Sequence, residues 1–309
     1  MEEDIYTAYS RGKLMLAGEY MVLAGSKSLS VPLNFGQKLT ISYNADGPHE
    51  VLWKTFEGES QPIEFNFPIE DIDQQRYKPE GERGYLLRLL RSARKINKEF
   101  LSEKGLYVAE SVLDTGLKPG FGQSSSLISN IAYWANVDVY RLNRLMSKGS
   151  GYDLATARVE SAITYVKKCP EPDIQQVIIA PEIIDKLFLI HLNKKENSEK
   201  SISLYLKLLM TKKKAVASMN AIVDKMVVAK SVSEYGKLME EHDKLLSGVL
   251  RRKTIKDLYF RDFKGWIKSS GAWGGDYILA LTGEDEKSVK AYFTEKGFKQ
   301  VIKLNELMV

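Results

Sequence analysis

Apolar residues in the first 70 positions come in short runs or alternate with polar ones. Ile5 to Ser10, Leu14 to Ala17 and Leu39 to Tyr43 are brief, apolar-rich and bounded by Gly, Pro or Asn, which predicts strands. His49 to Phe56 and Pro62 to Phe67 alternate as half-buried strands do. Asp71 to Arg83 is polar and holds Pro79 and Gly81, so it predicts a loop. The period then changes: Leu86, Leu87, Leu90, Ala93 and Ile96 recur at helical spacing with Arg and Lys between them. Leu106 to Leu113 reads as a strand, and from Ser124 the stripe Leu127, Ile128, Ile131, Trp134, Ala135 is helical. Val177 to Leu192 predicts strands around Pro181. Ser201 to Val228 and Val232 to Leu250 predict two helices. Tyr277 to Leu281 predicts a strand, Glu284 to Lys296 a helix and Phe298 to Leu304 a last strand. The expected class is α+β in two halves, 1–175 and 176–309, with the break in the stretch 170–185.

Composition narrows the class without deciding the chemistry. The chain has 309 residues, enough for one large or two ordinary cores, and its 44% hydrophobic and 28% charged content is that of a globular protein. Cys169 is the sole cysteine, so no intramolecular disulfide forms, and a reducing compartment, the cytoplasm, is expected. The start, Met1-Glu2-Glu3-Asp4, lacks the apolar core of a signal peptide, and no run of about 18 apolar residues predicts a membrane span. The net charge of +5 is spread over short clusters: Lys194-Lys195, Lys212-Lys213-Lys214 and Arg251-Arg252-Lys253. They read as solvated faces first and as sites for an anionic ligand second. Without interleaved aromatics they do not predict nucleic-acid binding.

Three segments carry candidate chemistry. In Ser10-Arg11-Gly12-Lys13-Leu14-Met15-Leu16-Ala17-Gly18-Glu19-Tyr20, two glycines flank an apolar strand that Lys13 enters and Glu19 leaves. A lysine fixed at a strand end can set a point charge on a phosphate or a developing alkoxide, although a strand with ordinary polar ends explains the same residues. In Leu117-Lys118-Pro119-Gly120-Phe121-Gly122-Gln123-Ser124-Ser125-Ser126, glycines run directly into a helix. Backbone N–H groups and the positive end of the helix dipole then converge, and serine hydroxyls stand ready for phosphate or magnesium. Ser124 or Ser125 as a helix cap accounts for the serines but not for Gly-Phe-Gly. The segment is not a Walker loop, because the spacing and the Lys-Ser/Thr ending are missing. The third segment, Lys268-Ser269-Ser270-Gly271-Ala272-Trp273-Gly274-Gly275-Asp276-Tyr277, puts three glycines just before a strand, where backbone can approach a ligand closely or simply turn. Between the last two, Lys148-Gly149-Ser150-Gly151-Tyr152-Asp153 places an aspartate past a flexible turn. It is a helix cap or, if it faces the phosphate loop, a general base.

Together the segments resemble the signature motifs of the GHMP kinases (galactokinase, homoserine kinase, mevalonate kinase, phosphomevalonate kinase). Lys13 to Glu19 is similar to the family's first motif, Gly120 to Ser125 to its Gly-Leu-Gly-Ser-Ser loop, Gly271 to Asp276 to its C-terminal glycine motif, and Ser150 to Asp153 to its Ser-Gly-x-Asp. The resemblance implies an N-terminal domain with a left-handed β-α-β crossover, a ferredoxin-like C-terminal domain, and ATP with magnesium as cofactors. It implies that Pro119, Gly120, Phe121, Gly122, Gln123, Ser124, Ser125 and Ser126 hold ATP, and that Ser124 helps hold Mg2+. Asp153 is then the base and Lys13 the cation that keeps it ionised and neutralises transfer charge. Glu19, Tyr20, Ser150, Gly151, Ser270, Gly271, Ala272 and Gly274 then line the acceptor site. The partner is a small molecule, not nucleic acid or membrane, and a homodimer is allowed.

Several positions depart from the family pattern. Arg11 stands where proline is usual, Gln123 replaces the first serine of the phosphate loop, and Trp273 stands where glycine is usual. Mevalonate kinase carries a magnesium-holding glutamate about eleven residues before the Asp, but Leu142 to Lys148 contains no acid. The form Gly149-Ser150-Gly151-Tyr152-Asp153 and the aspartate Asp276 after the glycines resemble phosphomevalonate kinases more than mevalonate kinases, and Lys194-Lys195 follow a predicted strand where those kinases carry a Gly-x-x-Ala-Ser-Thr segment near the substrate, so that either lysine is a solvated loop residue or the extra cation a phosphorylated acceptor needs. The expected reaction is ATP-dependent phosphorylation of phosphomevalonate or mevalonate. The alternatives are a diphosphomevalonate decarboxylase-like enzyme or a non-catalytic metabolite-binding homologue.

Overall fold

The computed structural model describes residues 3–74, 81–116, 118–193, 212–271, 273 and 275–309. Along the chain run β1 (Glu3–Ala17), β2 (Lys27–Asn44), β3 (Glu50–Glu57), β4 (Ile63–Pro68), α1 (Ile69–Asp73), α2 (Gly81–Ile96), β5 (Leu106–Leu113), α3 (Gln123–Trp134), α4 (Val139–Met146) and α5 (Tyr152–Thr156). There follow β6 (Ala162–Val166), β7 (Asp173–Val177), α6 (Pro181–Ile184), β8 (Leu187–His191), α7 (Lys213–Val228), α8 (Val232–Leu250), α9 (Ile255–Tyr259), β9 (Trp266–Ser270), β10 (Tyr277–Leu281), α10 (Glu286–Glu295) and β11 (Val301–Lys303). Two compact units form, Met1–Gly12 with Asn34–Arg158, and Lys13–Leu33 with Val159–Val309. They are not consecutive along the chain, whereas the sequence reading places a single break at 175/176.

In the first unit the C-terminal half of β2 pairs antiparallel with β5, β5 pairs parallel with β3, and β3 pairs antiparallel with β4. A parallel pair needs a crossover, and α1 and α2 lie in the connection between β4 and β5. Leu39, Ile41, Val51, Trp53 and Ala109 from the sheet form one core with Leu86, Leu87, Leu90 and Ala93 of α2 and Ile128 and Ile131 of α3. Each Leu, Ile or Val among them contributes about 1.5–3 kcal/mol on leaving water.

In the second unit the N-terminal half of β2 pairs with β6, which pairs with β7. A separate antiparallel sheet has the order β11-β8-β10-β9. With β8 taken as the first strand this is the 4-1-3-2 order of a β-α-β-β-α-β ferredoxin-like unit. Phe188, Ile190, Ile267, Ile278 and Ala280 from this sheet pack with Phe260 and Phe293. Gly236 of α8 lets the helix approach β9: a Cβ there would lie 2.1 Å from the Trp266 ring.

Some elements differ from the sequence reading. Gly12 does not break the first strand, since β1 runs through it. The stretch expected to be a loop from Asp71 to Arg83 contains the end of α1 and the start of α2. Ile69 and Ile72 are buried there, and Arg91 donates to the carbonyls of Ile72 (2.6 Å) and Gln74 (2.5 Å), which satisfies backbone that a polar composition does not reveal. Pro181 opens a helical turn instead of separating two strands, as proline at the first helical position does. Of the helix expected from Ser201 to Val228, α7 accounts for Lys213–Val228, and residues 194–211, with Lys194 and Lys195, lie outside the described residues.

Candidate active site

The loop before α3 is shaped by two left-handed glycines, Gly120 (φ 95°) and Gly122 (φ 106°), a conformation other residues adopt at a cost. Phe121 between them is its anchor. The ring is buried and packs on Phe35 at 5.6 Å between centroids, while its N–H donates to the Lys118 carbonyl. Gly122 is the N-cap, and no side chain caps the helix, so the expected serine cap is not made. The first-turn N–H groups of α3 have no acceptor within the helix, which is the geometry of an anion site.

The three serines that follow are chemically distinct. Ser125 is buried and donates to the Gly122 carbonyl at 2.9 Å. Ser126 is buried within 2.8 Å of Gln37 Oε1 and 2.9 Å of the Gln123 carbonyl, so its one proton serves either. Ser124 alone is exposed, and its hydroxyl meets Tyr85 Oη of α2 at 2.6 Å. Beneath the loop a buried polar ladder fixes α3 to the sheet. Gln37 donates to Ser111 Oγ at 2.6 Å, Asn130 donates to the Gln37 carbonyl at 2.8 Å, and Ser10 donates to Asn130 Oδ1 at 2.7 Å. Every member has a partner, the condition under which a buried network rigidifies a site.

Asp153 lies in the first turn of α5, which packs against α3. Gly151 starts that turn at φ 89°, and Asp153 Oδ1 accepts from Leu154 N–H at 3.1 Å. Burial pushes the nearby Tyr140 hydroxyl up to about 12, with the charges of Asp138 and Asp153 adding to the effect. Ser150 accepts from Tyr152 N–H at 3.5 Å. Among the described residues no three His, Cys, Asp or Glu side chains gather as a metal cluster.

The remaining candidates belong to the second unit. Lys13 is half-buried within β1, not at a strand end. Gly18 (φ 95°) has no room for a Cβ, which would sit 2.7 Å from Ser28 Cα. Glu19, expected to line an acceptor pocket, is only 4% exposed: Lys268 Nζ donates to its Oε1 at 2.6 Å and His242 Nε2 stands 2.9 Å from its Oε2. Burial alone would raise this carboxyl, but Lys268 and His242 hold it down to about 2. Tyr20 sits at φ 58°, ψ −45°, a sparsely populated conformation for a non-glycine residue, and its hydroxyl accepts from Trp273 N–H at 2.7 Å. Trp273 is itself buried, with its indole N–H donating to the Lys253 carbonyl at 3.3 Å. Ser270 donates to the Met15 carbonyl at 3.4 Å, and Gly271 is left-handed at φ 76°. Ala272 and Gly274 lie outside the described residues.

Sequence reasoning missed Tyr85, Gln37, His242 and Asp243, and assigned no role to Lys268. One signal was available: His242 and Asp243 interrupt the apolar stripe Leu238, Met239, Leu246 of a predicted helix.

No family model and no curated protein matches the sequence. Solved structures do match. The mevalonate kinase of Methanococcus jannaschii gives a TM-score of 0.69 at 15% identity, over 96% of this chain and 96% of that one. The phosphomevalonate kinase of Streptococcus pneumoniae, in complex with phosphomevalonate and AMPPNP, gives 0.68 at 17% identity over 95% and 98%. The galactokinase of Lactococcus lactis, complexed with galactose, gives 0.69 at 13% identity over 96% and 93%. The chain therefore has the GHMP kinase fold over nearly its whole length.

Proposed function

We propose that the protein is an ATP-dependent small-molecule kinase that transfers the γ-phosphoryl group to an oxygen of a metabolite. The observation that carries this reading is the α3 N-terminus. Left-handed Gly120 and Gly122, the anchored Phe121 and the exposed Ser124 stand at the start of α3, whose first turn has no side-chain cap, and Asp153 is on a helix packed against the same α3. Donors fixed in advance at the place where phosphate charge develops are the main catalytic resource of phosphoryl transfer. The solved relatives in complex with AMPPNP, phosphomevalonate and galactose support this reading.

In it, backbone N–H groups of the loop from Gly120 to Ser126 cradle the nucleotide phosphates, apart from those of Phe121 and Ser126, which donate to the Lys118 and Gly122 carbonyls, and Asp153 receives the acceptor's proton. Lys13 is the proposed cation for the transferring group, and Tyr20, Ser150, Gly151, Ser270 and Gly271 are the proposed acceptor-binding residues. An exposed hydroxyl suits magnesium, which keeps several waters and is held largely by substrate phosphates. Ser124 would hold it, and the ion would supply charge neutralisation at the β- and γ-phosphates.

For the acceptor, phosphomevalonate stands ahead of mevalonate on the Gly149 to Asp153 sequence and on Asp276. The test is ADP release with phosphomevalonate, mevalonate, homoserine and galactose, with product analysis by mass spectrometry. A phosphorylated product with the acceptor's carbons intact is expected. Carbon dioxide release would place the protein with the decarboxylases, and background ADP for all four acceptors would place it with non-catalytic binders.

A further inference from the structure

The middle of α8 carries two adjacent polar residues on a face that is otherwise apolar. His242 is 0% and Asp243 2% exposed, in line with Tyr235, Leu238, Met239 and Leu246. Burying such groups is costly unless each is paired, and these pairs lead to both glycine segments of the unit. Asp243 Oδ2 accepts from Ser269 N–H at 3.1 Å, and its Oδ1 lies 3.2 Å from His242 Nδ1. On the other side of the ring, Nε2 lies 2.9 Å from Glu19 Oε2 and 3.0 Å from the Gly18 nitrogen. Lys268 completes the group, donating to Glu19 Oε1 and to the Ser269 carbonyl.

One nitrogen cannot serve both neighbours in one protonation state. A bare Nε2 accepts from Gly18 N–H and turns a lone pair on Glu19, whereas a protonated Nε2 donates to Glu19. The groups facing the ring are Glu19 from the turn after β1, Lys268 from β9, Asp243 from α8 itself, and Tyr235, whose buried hydroxyl has no hydrogen-bond partner among the described residues. Two carboxylates and one ammonium leave a buried negative charge that an imidazolium cancels. Burial and Lys268 push the ring toward neutrality, and Glu19 with Asp243 outweighs them, so its pKa lies above the ordinary value.

We propose that His242 and Asp243 are positioning residues: as an imidazolium–carboxylate pair on α8 they tie the Gly18–Tyr20 turn and the β9 strand leading into Gly271 to one helix. This rests on the reading above that both segments face the acceptor. The Trp273 N–H bond to Tyr20 Oη is a second tie between the same segments. Gly236 sets the helix close enough to β9 for the pair to reach.

Two measurements that need no turnover decide the matter. In long-range 1H–15N spectra of the wild-type chain, His49→Gln and His191→Gln identify the other two histidines. The third ring is expected to carry protons on both nitrogens at pH 5.5, below the ordinary imidazole value of about 6.5. Hydrogen–deuterium exchange of His242→Gln and Asp243→Asn is expected to rise about tenfold at residues 15–23 and 266–271, a local loosening of about 1.4 kcal/mol, with 119–126 unchanged. With ATP and phosphomevalonate as probes, both variants should raise the acceptor KM more than the ATP KM or kcat, a split that general loss of stability does not produce. A singly protonated third ring at pH 5.5 overturns the proposal, as does unchanged exchange at both segments. If wild type phosphorylates no acceptor, the kinase reading fails, and the spectra and exchange still decide whether the pair ties the two segments.

Discussion

Lys268→Met is the sharpest test of the buried cluster. Methionine keeps most of the stem's length and apolar volume but removes an ammonium that donates to Glu19 Oε1 at 2.6 Å and to the Ser269 carbonyl at 2.7 Å. Lys268 is 0% and Glu19 4% exposed, so water cannot replace the lost donor. The cost is therefore set by the stranded carboxylate more than by the missing bond: removing one partner of a buried pair costs about 3–5 kcal/mol. His242 still stands at Oε2, which favours the lower end, about 3 kcal/mol, or about 6–12 °C in melting temperature for a unit of this size. Adding Glu19→Gln removes the charge and should recover part of the loss. Urea titrations of wild type, both single variants and the double variant give the coupling free energy. A Lys268→Met variant within about 1 kcal/mol of the parent, or a double variant no more stable than Lys268→Met, would refute the reasoning.

Asp153→Asn should lower kcat by about 10²–10⁴ with the melting temperature unchanged, and activity within a few fold of wild type would remove Asp153 from the mechanism. Ser124→Ala should raise the ATP KM and the magnesium requirement with little effect on stability, because Ser124 does not cap α3; magnesium titrations at fixed ATP check this. Gly236→Ala should destabilise by about 1–3 kcal/mol, since its Cβ would meet the Trp266 ring, and a neutral denaturation midpoint would contradict the packing. Stability should also depend on pH in two directions. Glu19, held down to about 2, contributes stability that is present above its unfolded value of about 4.3 and lost as pH falls toward 2. His242, held above its ordinary value, contributes stability that is full below about pH 6.5 and lost as pH rises through its folded pKa. Urea midpoints across pH should show both falls, and His242→Gln should abolish the alkaline one.

The strands and helices with strong periodicity were legible in the sequence. Leu106–Leu113 and Tyr277–Leu281 fall where the pattern puts them, and α8 and α10 lie within a few residues of it. The order of strands in the ferredoxin-like sheet was not legible from pattern, because alternation shows which face is buried and not which strand is the neighbour. α1 escaped because five residues with only Ile69 and Ile72 buried give no period to detect. At the site, Gly120 and Gly122 announced a turn, and the structure assigns both the left-handed backbone that glycine serves best. Trp273 stands where the family pattern has glycine, but its ring is packed away and its amide meets Tyr20. The distinct states of Ser124, Ser125 and Ser126 depend on Tyr85 and Gln37, residues 39 and 89 positions away, which no local spacing encodes.

The interleaving of the two compact units sets the order in which the chain can be completed during synthesis. All of Met1–Gly12 and Asn34–Arg158 is available by residue 158, so the first unit can close while the second is still being made. Lys13–Leu33 must wait: Glu19 meets Lys268 across 249 positions, and Gly18 meets His242 across 224. Until then Glu19 is a solvated carboxylate in the turn after β1, and the burial of its charge must wait for Lys268 and His242. A fragment starting at Val159 would bury Lys268 and His242 with no carboxylate from Glu19, and a fragment ending at Arg158 would leave Glu19 without either cation. The second unit is thus a late product of the whole chain.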